Sequence, residues 1–302
     1  MVRILVVVGY ASRMSEIRIG IFGASGFVGS VLRRHAASAG MEAVCFSRRE
    51  QPGFRVFSGS GDFSGLDAVV NLAGEPILGL WTAERKRKIL ESRVAGTRRI
   101  VEAIRGTSVR TLINASAVGI YGDTGEREVD ESAPAGDGFL AETCRAWEST
   151  AMDAAAGGTR VVIVRIGFVI GEGGALRMIR PLFRAGLGGN LGSGRQWMSC
   201  VHVEDVAGMI LWAFRKPDVS GPVNAVMPEP VRNSAFTRAL AASVHRPAIF
   251  PVPAFILRLA LGGLSHVMLD SSRVRPAVAL GLGYPFKFPV LPAALECANT
   301  KK

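Results

Sequence analysis

Short apolar runs alternate with segments of helical period through the first two-thirds of the chain. Ile17–Phe22 is an apolar run closed by glycine, and Phe27, Val28, Val31 and Leu32 recur at helical spacing within Gly26–Ala39. Ala43–Phe46, Ala68–Leu72, Thr111–Ala115 and Val161–Ile166 read as further strands, and helices are predicted over Thr82–Ile104 and Leu140–Ala155. Near-continuous apolar strands separated by helices must be covered on both faces, which predicts a parallel sheet. The expected fold is α/β: a doubly wound parallel sheet of Rossmann type with a smaller C-terminal α/β lobe.

Beyond Gly167 the regularity weakens. Gly186–Gly194 holds five glycines in nine residues and reads as a loop; Val206–Phe214 reads as a helix, Pro222–Val226 as a strand and Asn233–Val244 as a helix. Pro247–Pro253 opens a small final unit that runs to Glu296. The pattern divides the chain into a dinucleotide-binding domain at 16–227, which includes part of a substrate lobe at about 172–200, a C-terminal lobe at 228–296, and a tail at 297–302. The apolar run Ile4–Val8 lacks a following helix, and Met14-Ser15-Glu16 begins a better-formed opening. Residues 1–15 are therefore read as an N-terminal extension, either an upstream start-site artefact or a loose arm.

Composition narrows the function classes. Hydrophobic residues make up 48% of the 302, which excludes general disorder. The net charge of +11 raises nucleic acid and anionic membranes as partners, but thirty of the 36 basic residues are scattered arginines with no basic motif or aromatic platform, so no nucleic acid is expected. Cys45, Cys144, Cys200 and Cys297 are far apart and form no C-x-x-C pair, which fits free thiols in a reducing cytoplasm and no metal site. No run of 18 apolar residues exists, so neither a spanning segment nor a membrane partner is expected.

The strongest motif is Gly23-Ala24-Ser25-Gly26-Phe27-Val28-Gly29, between the first strand and the first helix. The first glycine permits a tight turn, the second lets backbone approach a pyrophosphate, and the third allows close helix–sheet packing, with the helix N-terminus facing the phosphates. Gly23, Ser25, Gly26, Phe27, Val28 and Gly29 are accordingly predicted to hold a dinucleotide. The tip of the second strand is Ser47-Arg48-Arg49, where an NAD site would place Asp or Glu. Arg48 lies 22 residues after Gly26 and suits a 2′-phosphate, with Ser47 as a second donor. NADP(H) is therefore expected over NAD(H).

With Asn71-Leu72-Ala73-Gly74-Glu75-Pro76-Ile77, Ser92-Arg93-Val94-Ala95-Gly96-Thr97, Ser116-Ala117-Val118-Gly119-Ile120-Tyr121-Gly122, Trp147-Glu148, Gly173-Gly174-Ala175-Leu176 and Asn224 in order, the chain resembles the extended short-chain dehydrogenase/reductases. It is most similar to their atypical "epimerase family" branch, some members of which carry a cell-division inhibitor label. The resemblance covers about residues 16–296 and implies that Leu72, Ala73 and Gly74 also line the cofactor. Superfamily chemistry uses Ser with a Tyr-x-x-x-Lys pair, and this chain has no such pair: Met14, Gly125 and Phe288 stand four residues after its three tyrosines. Alignment on Glu148 places Leu140 and Cys144 at the Tyr and Lys positions, where neither replaces the lost acid/base function directly.

The candidate chemical residues are then Ser116 and Glu75, both at strand C-ends, and Tyr121. Glu75 is either a base or the cap of the helix beginning near Trp81; Tyr121 is either a substitute acid or a loop anchor. Cys144 is a packed thiol before a reactive one, and His202 is a helix-start hydrogen-bond partner before a proton carrier. Lys86 and Arg195 are candidate anion contacts for a small-molecule substrate. Two readings stay open: an NADP(H)-dependent epimerase or oxidoreductase acting on a small polar molecule, or an inactive dinucleotide-binding sensor or regulatory interaction protein.

Overall fold

The computed structural model describes residues 17–59 and 61–300, and the extension read at 1–15 lies outside them. Seven strands form one parallel sheet: β1 (Arg18–Phe22), β2 (Glu42–Ser47), β3 (Phe54–Val56), β4 (Ala68–Asn71), β5 (Thr111–Ala117), β6 (Arg160–Ile166) and β10 (Gly221–Ala225). Their spatial order is β10-β6-β5-β4-β1-β2-β3, so the strand order reverses between β1 and β4. In a doubly wound sheet that switch point is where ligands sit, outside the strand C-ends.

Alternation along the strands assigns the two faces. Ile19, Ile21, Val70, Ile113, Val162 and Val164 point to one side, where α1 (Phe27–Ser38) and α5 (Val203–Arg215) cover them through Val31, Leu32, Val206 and Ile210. Phe22, Val69, Leu112 and Ile163 point to the other, beneath α2 (Ala83–Ile104) and α3 (Phe139–Met152), with Ile100, Val101, Ile104 and Ala151. Phe22, Phe46, Phe57 and Phe63 form an aromatic stack at that face's edge, Phe22 and Phe46 lying 4.7 Å apart.

The less regular part of the chain is more structured than its patterning suggests. After β7 (Phe168–Ile170), α4 (Gly174–Arg184) forms despite Pro181 and the glycine pair before it. Proline is tolerated there because Leu176 and Phe183 anchor the helix on a separate apolar cluster. That cluster also takes Phe236, Leu240, Leu291, Leu295 and Ala298 from α6 (Asn233–Ser243) and α10 (Leu291–Thr300). A two-stranded ribbon of β8 (Trp197–Met198) and β11 (Val231–Arg232), the pair β7–β9 (Cys200–His202), and the short helices α7 (Ala254–Leu261), α8 (His266–Leu269) and α9 (Ala277–Gly281) complete this lobe. The expected tail at 297 is corrected: α10 continues to Thr300, and Ala298 is buried because its helix face packs on α6.

Candidate dinucleotide and substrate site

The turn after β1 is built around three close backbone approaches. Gly23 has φ +76°, and a Cβ there would lie 2.8 Å from the Leu72 carbonyl, so the loop after β4 can press against the turn. Gly26 donates its N–H to the Gly23 carbonyl at 3.0 Å and caps α1 without a side chain. At Gly29 a Cβ would lie 2.2 Å from the Gly23 oxygen, which is the close helix–strand packing expected of the third glycine. The first turn of α1 contains no acidic residue, so its positive dipole end has no counter-charge of its own. These features fit a pyrophosphate. Only the backbone of Phe27 is suited to that role: its ring turns away against Gly171, Gly173 and Gly174, whose added Cβ atoms would lie 2.6, 2.5 and 3.1 Å from it.

Ser47 ends β2, and its hydroxyl accepts the Arg49 N–H at 3.2 Å. Arg48 and Arg49 follow, both exposed and without an ion-pair partner among the described residues. The switch point thus has glycine backbone at β1 and guanidinium groups at β2. Leu72, Ala73 and Gly74 lie opposite, fixed by Leu72 N–H to the Phe22 carbonyl and Ala73 N–H to Asn71 Oδ1.

Glu75 continues this loop and is half-buried. Its carboxylate accepts Arg85 at 2.6 Å, and the same guanidinium reaches the Pro76 and Leu78 carbonyls. Glu75 does not cap α2; Thr82 does, accepting the Arg85 N–H. Behind the loop, Arg93 donates to the Glu75 carbonyl and lies 5.1 Å over the Trp147 ring, its pKa lowered by burial. Lys86 lies beside Arg85 in sequence, with its ammonium 5.3 Å from the Phe139 ring centre. Arg195 belongs to a different cluster, on the ribbon, where it lies near Glu126 and its carbonyl accepts Arg232.

Ser116 and Tyr121 sit in a second, buried group. Strand register places Ser116, Arg165 and Asn224 side by side on β5, β6 and β10. Ser116 Oγ donates to Glu148 Oε1 at 2.6 Å, and Arg165 clasps both oxygens of that carboxylate at 2.9 and 2.8 Å. Arg165 also donates to the Tyr121 hydroxyl, which donates to Asn224 Oδ1, both at 2.8 Å. Burial opposes charge on Arg165, but the Glu148 carboxylate raises its pKa above the usual guanidinium value; burial likewise raises that of Tyr121. Ser116 and Tyr121 are only 3% and 2% exposed, which sets them apart from Glu75.

Cys144 packs beneath Ser116, and burial pushes its thiol up to about 11, so it stays protonated at neutral pH. His202 caps α5 through Nδ1, accepting the Glu204 N–H at 3.3 Å. The residues that sequence reasoning missed are Arg165 and, as a working partner, Glu148. An arginine within the apolar run Val161–Ile166 was the available signal, because a buried guanidinium requires a partner.

Residues 19–226 match the NAD dependent epimerase/dehydratase family, and residues 252–298 match a domain of unknown function, DUF1731. The chain belongs to that epimerase family. An epimerase family protein of Mycobacterium bovis is 38% identical over 299 residues, covering 95% of this chain and 99% of its own. The mouse epimerase family protein SDR39U1 is 35% identical over 92% of this chain and 98% of its own. The crystal structure of human SDR39U1 (isoform 2) with NADPH superposes with a TM-score of 0.89 at 31% identity, covering 94% of this chain and 99% of that one. A nucleoside-diphosphate sugar epimerase of Corynebacterium glutamicum superposes at 0.80 and 31%, over 97% of this chain and 61% of that one. Within the family, this chain is of the atypical kind that lacks Tyr-x-x-x-Lys.

Proposed function

We propose that the chain binds NADP(H) in preference to NAD(H) and acts as an epimerase-like oxidoreductase on a small polar molecule. The exposed Arg48–Arg49 pair after Ser47, which ends β2 where an NAD site would place Asp or Glu, carries this reading. The human relative solved with NADPH supports it. When bound, the nicotinamide supplies a hydride donor or acceptor. The chain's part is to hold the pyrophosphate on the backbone of Gly26–Gly29 and the 2′-phosphate on Ser47 and Arg48.

Arg48→Ala removes a charge-assisted hydrogen bond worth about 1.5–3 kcal/mol, so NADPH affinity should fall about tenfold or more while NADH affinity stays near its wild-type value. Calorimetric titration of both nucleotides reads this directly. Equal wild-type constants for the two would sink the preference.

Of the three candidate chemical residues, Glu75 is the one suited to meet substrate, because Ser116 and Tyr121 are buried with their hydroxyls engaged. Glu75 then accepts or returns the substrate proton, with Arg85 fixing its orientation, while Ser116 and Tyr121 hold the strand ends. Lys86, one position beyond Arg85, is the proposed anion contact; Arg195, in the ribbon cluster, is not. The first step is to screen NADPH oxidation against quinones, aldehydes and nucleotide-sugar ketones. Glu75→Gln should then lower turnover by roughly 10²–10⁴-fold with NADPH affinity within about threefold of wild type. Saturable NADPH binding with no turnover on any of these compounds would favour a dinucleotide sensor.

A further inference from the structure

The C-terminal lobe carries an apolar face that nothing among the described residues covers. Seven of the eight residues of α7 are apolar, yet only Leu257 is buried. Leu259 is 87% exposed and Phe255, one turn earlier, 68%; Ile249 and Phe250 are open on the approach to the helix. On α4, Met178 and Leu182 stand four residues apart on the outer side, followed by Leu187. The two regions are stitched together: Phe250 N–H donates to the Gly188 carbonyl, Gly192 N–H to that of Val252, and Arg246 Nε to that of Arg184. Scattered exposed apolar residues are ordinary, but this many gathered on hydrogen-bonded neighbouring segments mark an interaction surface.

Charge on the segments that form this face is one-sided. The stretches 173–203 and 230–269 contain eight arginines and not one Asp or Glu, in a chain whose net charge is +11. Glu126 neutralises Arg232 from outside these stretches and lies near Arg195, and Arg180 turns inward to the Gly171 carbonyl. Arg177, Arg184, Arg238, Arg246 and Arg258 remain exposed. A second copy of the chain would bring two such positive faces together, which disfavours self-association. Glu296 of α10 stands beside Arg184 and His245 at one margin, but the helices and segments of the face itself carry no carboxylate. Exposed Phe, Leu and Ile among arginines match the boundary between anionic headgroups and acyl chains. Among the described residues no helix is long and apolar enough to cross a membrane, so the face would lie on the bilayer.

We propose that the face formed by α4, the 187–192 and 249–252 segments and α7 docks on the surface of an anionic phospholipid bilayer. This departs from the sequence expectation of no membrane partner, which followed the lack of a long apolar run although the net charge raises anionic membranes. The test is co-sedimentation of the full chain with vesicles of phosphatidylcholine, alone or mixed equally with phosphatidylglycerol. The chain should pellet with the mixed vesicles only, and salt at ~1 M, where the Debye length is about 3 Å, should release most of it. At about fivefold per arginine, Arg246→Gln with Arg258→Gln should weaken binding roughly 25-fold. Phe255→Ser with Leu259→Ser should weaken it at least about tenfold by removing the apolar insertion. Unchanged NADPH affinity confirms that each variant is folded. Equal binding to both vesicle types, or to neither, overturns the proposal. So does a dimer on light scattering that the Phe255→Ser, Leu259→Ser variant abolishes, because that assigns the face to a second copy.

Discussion

Replacing Arg165 with methionine should lower the stability of the chain by about 3–5 kcal/mol, measured as a shift of the urea midpoint. The loss comes chiefly from what stays behind. Glu148, which accepts two bonds from Arg165 and one from Ser116, would keep its carboxylate in a buried place with Ser116 alone. Tyr121 would lose its guanidinium partner as well. The double variant Glu148→Leu with Arg165→Met removes both charges and should recover most of the loss, since a buried pair is often replaceable by apolar groups of similar volume. A loss below about 1 kcal/mol for Arg165→Met alone would show that water reaches Glu148 and that the pair does not brace the strand ends.

The glycine turn and the buried pair differ in how far the sequence reveals them, and distance along the chain is the reason. Gly23, Gly26 and Gly29 act on one another within seven residues, so strand-before and helix-after context sufficed to read them. The Arg48 position followed from the same local unit. Tyr121 and Asn224 are 103 residues apart, and only the register of β5, β6 and β10 brings them together. Glu75 was legible as a strand-end carboxylate, but its clasp by Arg85 depends on how the intervening loop folds back on α2. In α4, Pro181 and the preceding glycines hid a helix whose stability comes from tertiary packing of Leu176 and Phe183.

Gly29→Ala should reduce NADPH affinity by about 100-fold or more, near 2.8 kcal/mol, in the same titration used for Arg48. The added methyl would lie 2.2 Å from the Gly23 oxygen and 2.8 Å from Ala24 Cα, both backbone atoms of the turn itself. The first turn of α1 must then lift away from β1, which moves its amides out of reach of the phosphates. Gly96→Ala is the control: it lies within α2 with nothing inside 4 Å of an added Cβ, and should stabilise the chain by up to about 1 kcal/mol. Binding by Gly29→Ala within threefold of wild type would mean that the phosphates are held elsewhere.

The Phe27 ring bears on how such a chain can be recombined. One residue opens the helix that faces the dinucleotide and, through its side chain, supports Gly171, Gly173 and Gly174 at the entrance to α4. The nucleotide-binding half is therefore not an interchangeable part. A transplanted first βα unit with a small residue at position 27 would leave a void beneath the entrance to the lobe. A transplanted lobe with alanine at 173 would collide with the ring. The two halves constrain each other's sequence across about 145 positions.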